Sequence, residues 1–500
     1  MIKTDVLVVG LGPVGATFAN LLGQQGVRVL AVERETIVYP LPRAAHFDAE
    51  IMRVWQGLGL LTEAMAASRC APGYEFRTAS GETLLRYDLG DTIAPSGFAP
   101  SWMFNQPDLE RGLRAKLADY PTVEVRLGVR LDTLESLGAG DLERVCATIV
   151  DSHGGPDVVE ARFVIGCDGA KSAARKALGI ANFDYAFDEP WLVIDAKINF
   201  PDRLPSVNLQ ICDPARPTSC VIMGPGRHRW EFMIRPGEDP QSFLDDQKIA
   251  ELLRPWVRDG DVEIDRKAIY RFHGLVSNEW RRGHVLLAGD AAHQTPPFAG
   301  QGMCSGIRDA VNLAWKLGHV LRGEADEALL DTYQSEREPH VRALTEFSIA
   351  MGRVVCMADR EEAAQRDAFF LAERARGATP VPLAEPSVGP GAFLKDTPRA
   401  GAIFPQDSVN GVRLDDILGR GAWLIARRAA DIAGHESPLV ARIDAIEGST
   451  LAPFAASLTA FLDDVSTDAV LVRPDRYIFG TGQARDLLDA YSATLRGPKS

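Results

Sequence analysis

The sequence predicts an α/β protein: a nucleotide-binding unit on a parallel sheet, an antiparallel sheet inserted into it, and a small α/β unit at the end. Three observations carry this. An apolar run at 5–9 passes directly into Gly10-Leu11-Gly12-Pro13-Val14-Gly15 and then into an apolar helix reaching residue 22. Residues 192–200 alternate at period two, as a half-buried strand does. Two further apolar runs, 163–167 and 285–288, end in Asp168-Gly169 and Gly289-Asp290, each just before a helix.

The first signal is a dinucleotide fingerprint in context. Its glycines give a tight turn, room for a pyrophosphate and close helix packing, and a second strand at 27–32 ends at Glu33, an acid placed for ribose hydroxyls. An acid here suits an adenosine ribose without a 2′-phosphate. The unit is therefore Rossmann-like. Pro42-Arg43-Ala44-Ala45-His46-Phe47-Asp48 leads into a helix carrying Ile51, Val54, Trp55 and Leu58, with Asp48 placed to cap it. Asn105-Gln106 and Asp108 make a similar turn before a helix at 109–117, and strands are expected at 123–127 and 145–150. Asp168 is equally suited to capping the helix that follows it and to meeting a ligand.

From 183 to 282 the pattern is that of the antiparallel insert. A hairpin joins 220–223 to 230–234 around Gly224-Pro225-Gly226-Arg227, and more strands are expected at 262–264 and 269–275. One face is apolar and one wettable, and the apolar face is expected to close over the nucleotide-binding unit. Helices follow at 313–321, from 325 to about 350 with a break at Pro339, and at 359–376. Residues 377–405, rich in Pro, Gly and Ala, read as a linker. The tail has strands at 423–426, 469–472 and 477–479 and helices at 451–462 and 484–495.

The third glycine–acid signal is the richest: GDAAHQTPPFAGQGMCSG at 289–306. Asp290 sits just past a strand end. A turn containing Pro297, Gly300 and Gly302 then opens a helix whose free N–H groups can receive negative charge.

Composition bounds the rest. Five hundred residues exceed what one core usually spans, so two or three domains are expected. A net charge of -14 argues against nucleic acid, since no basic excess neutralises phosphates. The first ten residues read as a strand rather than a signal peptide, and no run approaches the roughly 20 apolar residues of a membrane span. Seven scattered cysteines without a CxxC point to reduced thiols in a cytoplasmic protein, with no disulfide framework and no metal site.

Gly10-Gly12-Gly15 with Glu33, Asp168-Gly169 with Arg175, and Gly289-Asp290 with Pro296-Pro297 occur in this order along the chain. Together they resemble the single-component FAD-dependent aromatic hydroxylases, in the branch of 3-(3-hydroxyphenyl)propionate hydroxylase and phenol-type hydroxylases. The resemblance implies a glutathione-reductase-type FAD-binding domain at 1–182 and 284–356, interleaved with a substrate-binding sheet at 183–283. A helix and linker at 357–405 and a thioredoxin-like domain at 406–500 complete it. With no cysteine after Cys356, that last domain has no thiol redox role, leaving packing or a homodimer contact.

The resemblance further implies that Gly10, Gly12, Pro13, Val14 and Gly15 admit the FAD pyrophosphate, with Glu33 and Arg34 at the adenosine ribose. Arg43 and Gln106 would contact the cofactor, Asp168-Gly169 both FAD and reduced nicotinamide. Gly289, Asp290, Pro297, Gly300, Gly302 and Met303 would surround the flavin. NADH or NADPH would bind transiently, there being no second GxGxxG. Oxygen would be inserted into a small aromatic substrate, a hydroxyphenylpropanoid acid or a resorcinol-like phenol, through a flavin hydroperoxide.

Activating a phenol needs a base or acceptor near its hydroxyl. The candidates are His46, Asp48, Tyr270, His273 and His293, with His46 first because its loop lies beside the flavin ring in that family. The competing readings are a reductase or oxidase of the same fold, a nicotinamide-only dehydrogenase, which would leave two motifs unemployed, and a non-catalytic flavin-binding scaffold. A halogenase would carry WxWxIP, and none occurs.

Overall fold

The strand Ile2–Val9 is the centre of the parallel sheet, because its run Val6 to Val9 is apolar on both faces and is buried on both. It pairs in parallel with Val29–Glu33 on one side and Pro156–Gly166 on the other, and Val6 faces both Val29 and Phe163 in register. Val123–Leu127 extends the sheet beyond Val29–Glu33, and Val285–Leu287 extends it beyond Pro156–Gly166. The computed structural model describes residues 1–40, 42–137, 144–379 and 387–497.

Helices Pro13–Gly23 and Gly302–Leu321 pack against each other beside this sheet through Phe18, Ala19 and Leu22 and through Ile307, Ala310, Leu313 and Leu317. Burial at steps of three and four is what their sequences call for. Both helices begin at loops that follow a strand of the sheet, so both N-termini lie at its carboxyl edge. That edge is where ligands bind in open α/β sheets.

The second sheet runs, in spatial order, His293–Gln294, Val262–Ser277, Asn182–Ile198, Arg227–Met233, Thr218–Ile222, Asn208–Ile211, Gly73–Arg77 and Thr83–Asp88. The expected strands at 262–264 and 269–275 are one strand, and the sheet also draws on 73–88, a segment that lies before the insert. The larger correction concerns its faces. The apolar residues Leu192, Ile194, Leu209, Cys220, Trp230 and Phe232 do not close over the nucleotide-binding unit. They pack under Phe243 and the helix Asp246–Leu253, through Ile249 and Leu253. A period of two marks one face as apolar but cannot say which neighbour covers it.

The helix expected from 325 runs Thr332–Val355, after a 3-10 turn at Glu327–Asp331, and it continues through Pro339. Proline removes one helical N–H. A neighbouring carbonyl, that of Glu336, is also engaged from outside the helix, by Gly389 N–H at 2.8 Å. The described part of the expected linker is likewise tied down: Leu394, Gly401 and Phe404 donate to the carbonyls of Phe479, Ile478 and Arg476. The C-terminal sheet has the order Arg442–Ala445, Trp423–Ala426, Ala469–Val472, Ile478–Gly482, its first pair parallel and the others antiparallel. Arg442–Ala445 was not among the expected strands. One side of this sheet packs onto Trp315 and Leu329 of the larger unit. No helix among the described residues is long and apolar enough to cross a membrane.

Candidate active site

The glycine turn is shaped by two contacts. Gly10 has φ +93, and a side chain on Gly15 would place its Cβ 2.0 Å from the Gly10 carbonyl oxygen. Only glycine allows that left-handed turn followed by so close a helix start. Glu33 fixes the turn from the next strand, its carboxylate accepting from Leu11 N–H at 2.7 Å and Glu35 N–H at 3.0 Å. Arg114, absent from the sequence-based candidates, donates to the Leu11 carbonyl at 3.0 Å. Arg34 points away, exposed and paired with Glu35 at 3.2 Å.

A cavity of about 1100 Å³ lies between this turn, the start of helix Gly302–Leu321 and the second sheet. Gly12, Pro13, Val14, Arg43, Gln106 and Gly169 line it, as do Asp290, Pro297, Gly300, Gly302 and Met303. Gly10, Gly15, Glu33, Arg34, Asp168 and Gly289 lie behind or beside the lining. Asp168 acts as a cap, accepting from Ala173 N–H at 2.6 Å and Ala174 N–H at 3.1 Å. Arg175 joins the second and third motifs by donating to the Ala291 carbonyl at 2.7 Å. Asp290 is open to the cavity yet surrounded by protein. Burial pushes its carboxyl above the ordinary range, against the pull of His293 and Arg43.

The five candidate bases separate clearly. His293 is buried, bonded through Nε2 to Asp309 Oδ2 at 2.6 Å and set against Trp280. Asp309 also accepts from Gly289 N–H and Arg337, so His293 braces the loop from beneath and does not line the cavity. Tyr270 lies under the Arg266 guanidinium, and His273 lies 3.6 Å from Asp188 on the adjacent strand; neither lines the cavity. Asp48 does line it but is engaged: it caps helix Ala49–Leu58 through Ile51 N–H and accepts from Arg308 at 2.6 Å. Burial works to raise its carboxyl, and Arg308 outweighs that and holds it below the usual range.

His46 remains. Its Nδ1 lies 3.1 Å from the Gly300 carbonyl oxygen, which can only accept, so Nδ1 carries the proton and Nε2 keeps its lone pair. Among the described residues Nε2 has no hydrogen-bond partner. Burial lowers the His46 pKa below the ordinary histidine value, which keeps the ring neutral. The ring of Tyr74 meets it edge-on at 6.4 Å, and burial pushes the Tyr74 hydroxyl up to about 12.

Sequence reasoning missed the cavity's sheet wall. Tyr74 and Phe76, Asn208 and Gln210, Ser219 and Val221, and Arg229 and Glu231 come from four adjacent strands and share one face. Their alternation with Trp230 and Phe232 is visible in the sequence; which face meets the cavity is not. Arg229 also positions the His46 loop, donating to the carbonyls of Arg43 and Pro42 while paired with Asp195. Tyr477 of the C-terminal unit completes the wall and donates to Glu50 at 2.9 Å. Glu50 accepts from Arg308, which also donates to Gln301 at 3.0 Å.

The family described as FAD binding domain matches residues 3–348. A "Probable NADH-specific resorcinol 4-hydroxylase" of Rhodococcus jostii (strain RHA1) is 38% identical, covering 96% of this chain and 92% of that protein. The chain belongs to the FAD-dependent aromatic hydroxylases. A "3-(3-hydroxy-phenyl)propionate/3-hydroxycinnamic acid hydroxylase" of Mycolicibacterium smegmatis is 34% identical over 96% of the chain and 91% of its own length. Among solved structures, the flavin-dependent monooxygenase PieE with FAD and substrate superposes at TM-score 0.81 over 99% of this chain and all of that one, at 23% identity. That likeness is one of fold. A ternary complex of aklavinone-11 hydroxylase with FAD and aklavinone reaches TM-score 0.77 at 25% identity, over 99% of each chain.

For a member of this family the residues fit the cofactor. A Cβ built on Gly12 meets nothing within 4 Å, and Gly12 borders the cavity, so the turn cradles an open space. Helices Pro13–Gly23 and Gly302–Leu321 both start at that cavity without a side-chain cap, leaving N–H groups for an anionic ligand.

Proposed function

We propose that this protein hydroxylates a small phenolic ring with NADH and O2, and that His46 Nε2 accepts the phenolic proton. Bound FAD would supply the electron transfer from nicotinamide and the activation of oxygen. The observation that carries the reading is the His46–Gly300 contact, which fixes the tautomer and leaves the acceptor nitrogen open in the cavity, while burial favours the neutral ring. Moving the phenol proton to Nε2 raises electron density on the ring, which favours its attack on an electrophilic oxygen. The engaged carboxylate of Asp48 would add to this by stabilising the imidazolium that forms.

In this reading the start of helix Pro13–Gly23, opened by Gly12, and Arg43 take the FAD pyrophosphate. Glu33 takes ribose hydroxyls with the lone pairs that Leu11 and Glu35 leave free. Asp290 accepts from the ribityl chain, and the start of helix Gly302–Leu321 meets negative charge on the flavin ring, a dipole term of about 0.3–2 kcal/mol. Residues 1–182 and 284–356, apart from the strands at 73–88 and 293–294 that join the substrate sheet, form the FAD-binding domain interleaved with that sheet. The C-terminal unit is of thioredoxin-like type, which its strand order supports, and without cysteines it serves as a wall and brace.

The test is incubation with NADH, labelled O2 and a set of phenols, measuring labelled product and peroxide together. Labelled product supports the reading. Peroxide alone, whichever phenol is added, makes the protein an oxidase of the same fold.

A further inference from the structure

The sheet wall of the cavity carries a row of polar side chains. Gln210, Ser219 and Glu231 stand side by side on neighbouring strands, Gln210 opposite Ser219 and Ser219 opposite Glu231. The Ser219 hydroxyl donates to Gln210 Oε1 at 2.6 Å, which leaves the Gln210 amide N–H groups for a ligand. Glu231 is only 7% exposed, and what exposure it has is to the cavity.

Four cations border the cavity among the described residues, and three have their charge met by acids of this chain. Arg229 is bonded to two backbone carbonyls and to Asp195, which it shares with the buried Arg266, and Glu231, 3.7 Å away, is the second acid beside the two guanidinium groups. Arg308 is held by Asp48, Glu50 and Gln301, and Arg399 by Asp464. The fourth, Arg43, is stacked over Tyr39 at 5.2 Å and lies near enough to Asp290 to pull on its carboxyl. No cation on the sheet wall is left to receive a carboxylate, and one buried acid is already there.

Resting on the hydroxylase reading above, we infer that this pocket takes an uncharged, polyhydroxylated ring and rejects an aryl carboxylate of similar size, with Glu231 as the residue that enforces the choice. A second ring hydroxyl can donate to Glu231 or Ser219 and accept from the Gln210 amide. A carboxylate at the same place would have to share an enclosed space with Glu231, and like charges in a poorly solvated site oppose each other strongly. Burial pushes the Glu231 carboxyl up, and Arg229, 3.7 Å away, pulls it back toward the ionised form.

The experiment is equilibrium titration of the FAD-loaded protein, followed by the change in flavin absorbance. The probes are resorcinol, 3-(3-hydroxyphenyl)propionate and the methyl ester of that acid, which has nearly the same size without the charge. The ester should bind at least tenfold more tightly than the acid. In Glu231→Gln the gap should narrow by about tenfold. Equal affinities for acid and ester in the unaltered protein would overturn the inference, and that comparison holds even if the variant folds poorly. An unchanged gap in a Glu231→Gln protein that keeps its FAD would also overturn it. Product assays on the same samples separate the two levels. A charge gap without ring hydroxylation defeats the proposed reaction and leaves the pocket's preference standing, whereas hydroxylation without a gap defeats only the preference.

Discussion

His46 Nδ1 lies 3.1 Å from the carbonyl oxygen of Gly300, a residue 254 positions further along the chain. That contact joins the strand His46–Asp48 to the turn before helix Gly302–Leu321, and it selects the imidazole tautomer. A ring that donates from Nδ1 can accept only at Nε2. The proposed chemistry depends on this pairing being kept while FAD and substrate come and go.

Replacing His46 by Ala should therefore leave FAD bound and NADH consumption running, while hydroxylated product falls and peroxide rises. General-base assistance is typically worth about 10²–10⁴-fold, so the loss in product per NADH is large enough to read directly. Burial lowers the His46 pKa, so the neutral base persists below the ordinary histidine value of 6.5 and is lost as pH falls through the lowered one. The acid limb of kcat/KM should accordingly lie below pH 6.5 and vanish in the variant. An unchanged product-to-NADH ratio removes His46 from the mechanism.

Gly300 offers a test of the same pair from the other side. It has φ +64, and a Cβ there would lie 2.7 Å from His46 Nδ1. Gly300→Ala combines backbone strain of about 1–3 kcal/mol with displacement of the imidazole. The expected result is lower coupling with a modest fall in melting temperature. Full coupling would mean that the ring's position does not matter to the reaction.

Where the sequence is legible and where it is not follows from the range of the forces involved. The glycine turn with Glu33 is readable because the constraint is local: Gly10 must be left-handed and Gly15 must admit the Gly10 carbonyl. The Asp48 cap is readable for the same reason. Tyr270 and His273 stand beside His46 as candidates until tertiary packing, a non-local property, leaves them outside the cavity, although the register turns Tyr270 to the face of Arg229 and Glu231. The orientation of the second sheet turns on helix Asp246–Leu253, whose Asp245 cap and buried Ile249 and Leu253 are a short signal beside the strands around them. The acids that hold Arg308 and Tyr477 lie hundreds of residues away, and Glu336 meets Arg473 across 137 positions, so no spacing rule reaches them.

Glu336 illustrates that last class and yields a stability prediction. Its carboxylate is fully buried, 2.8 Å from Arg473, 3.0 Å from Lys316 and 2.6 Å from Asn312. Burial pushes it up, but Arg473 and Lys316 outweigh that and hold it far below the usual range; Lys316 is itself pushed down to about 8 by burial. Glu336→Gln leaves two buried cations with Asp475 as their remaining acid, a loss of about 3–5 kcal/mol for a broken buried pair. Because Glu336 belongs to helix Thr332–Val355 and Arg473 to the C-terminal unit, protease sensitivity should rise first between them. A variant with unaltered melting temperature and proteolysis would show that the cluster contributes nothing to holding the two together.

The fit of the cofactor can be tested without any assay of turnover. A Cβ on Gly12 meets nothing within 4 Å, and its backbone, at φ -68, suits any residue. Gly12→Val should therefore fold as the unaltered chain does when both are stripped of flavin, with the same circular dichroism and the same melting temperature. The space that the side chain enters is the one proposed for the pyrophosphate, so the variant should bind FAD at least a hundredfold more weakly, a penalty of about 2.8 kcal/mol at about 1.4 kcal/mol per factor of ten. Both flavin titration and the flavin-induced rise in melting temperature measure this. If Gly12→Val binds FAD as the original does, the cradle holds some other group and the assignment of the first glycine motif to the pyrophosphate is wrong. If the stripped variant unfolds, the open space at Gly12 is not open, and the geometry on which the fit rests is wrong instead.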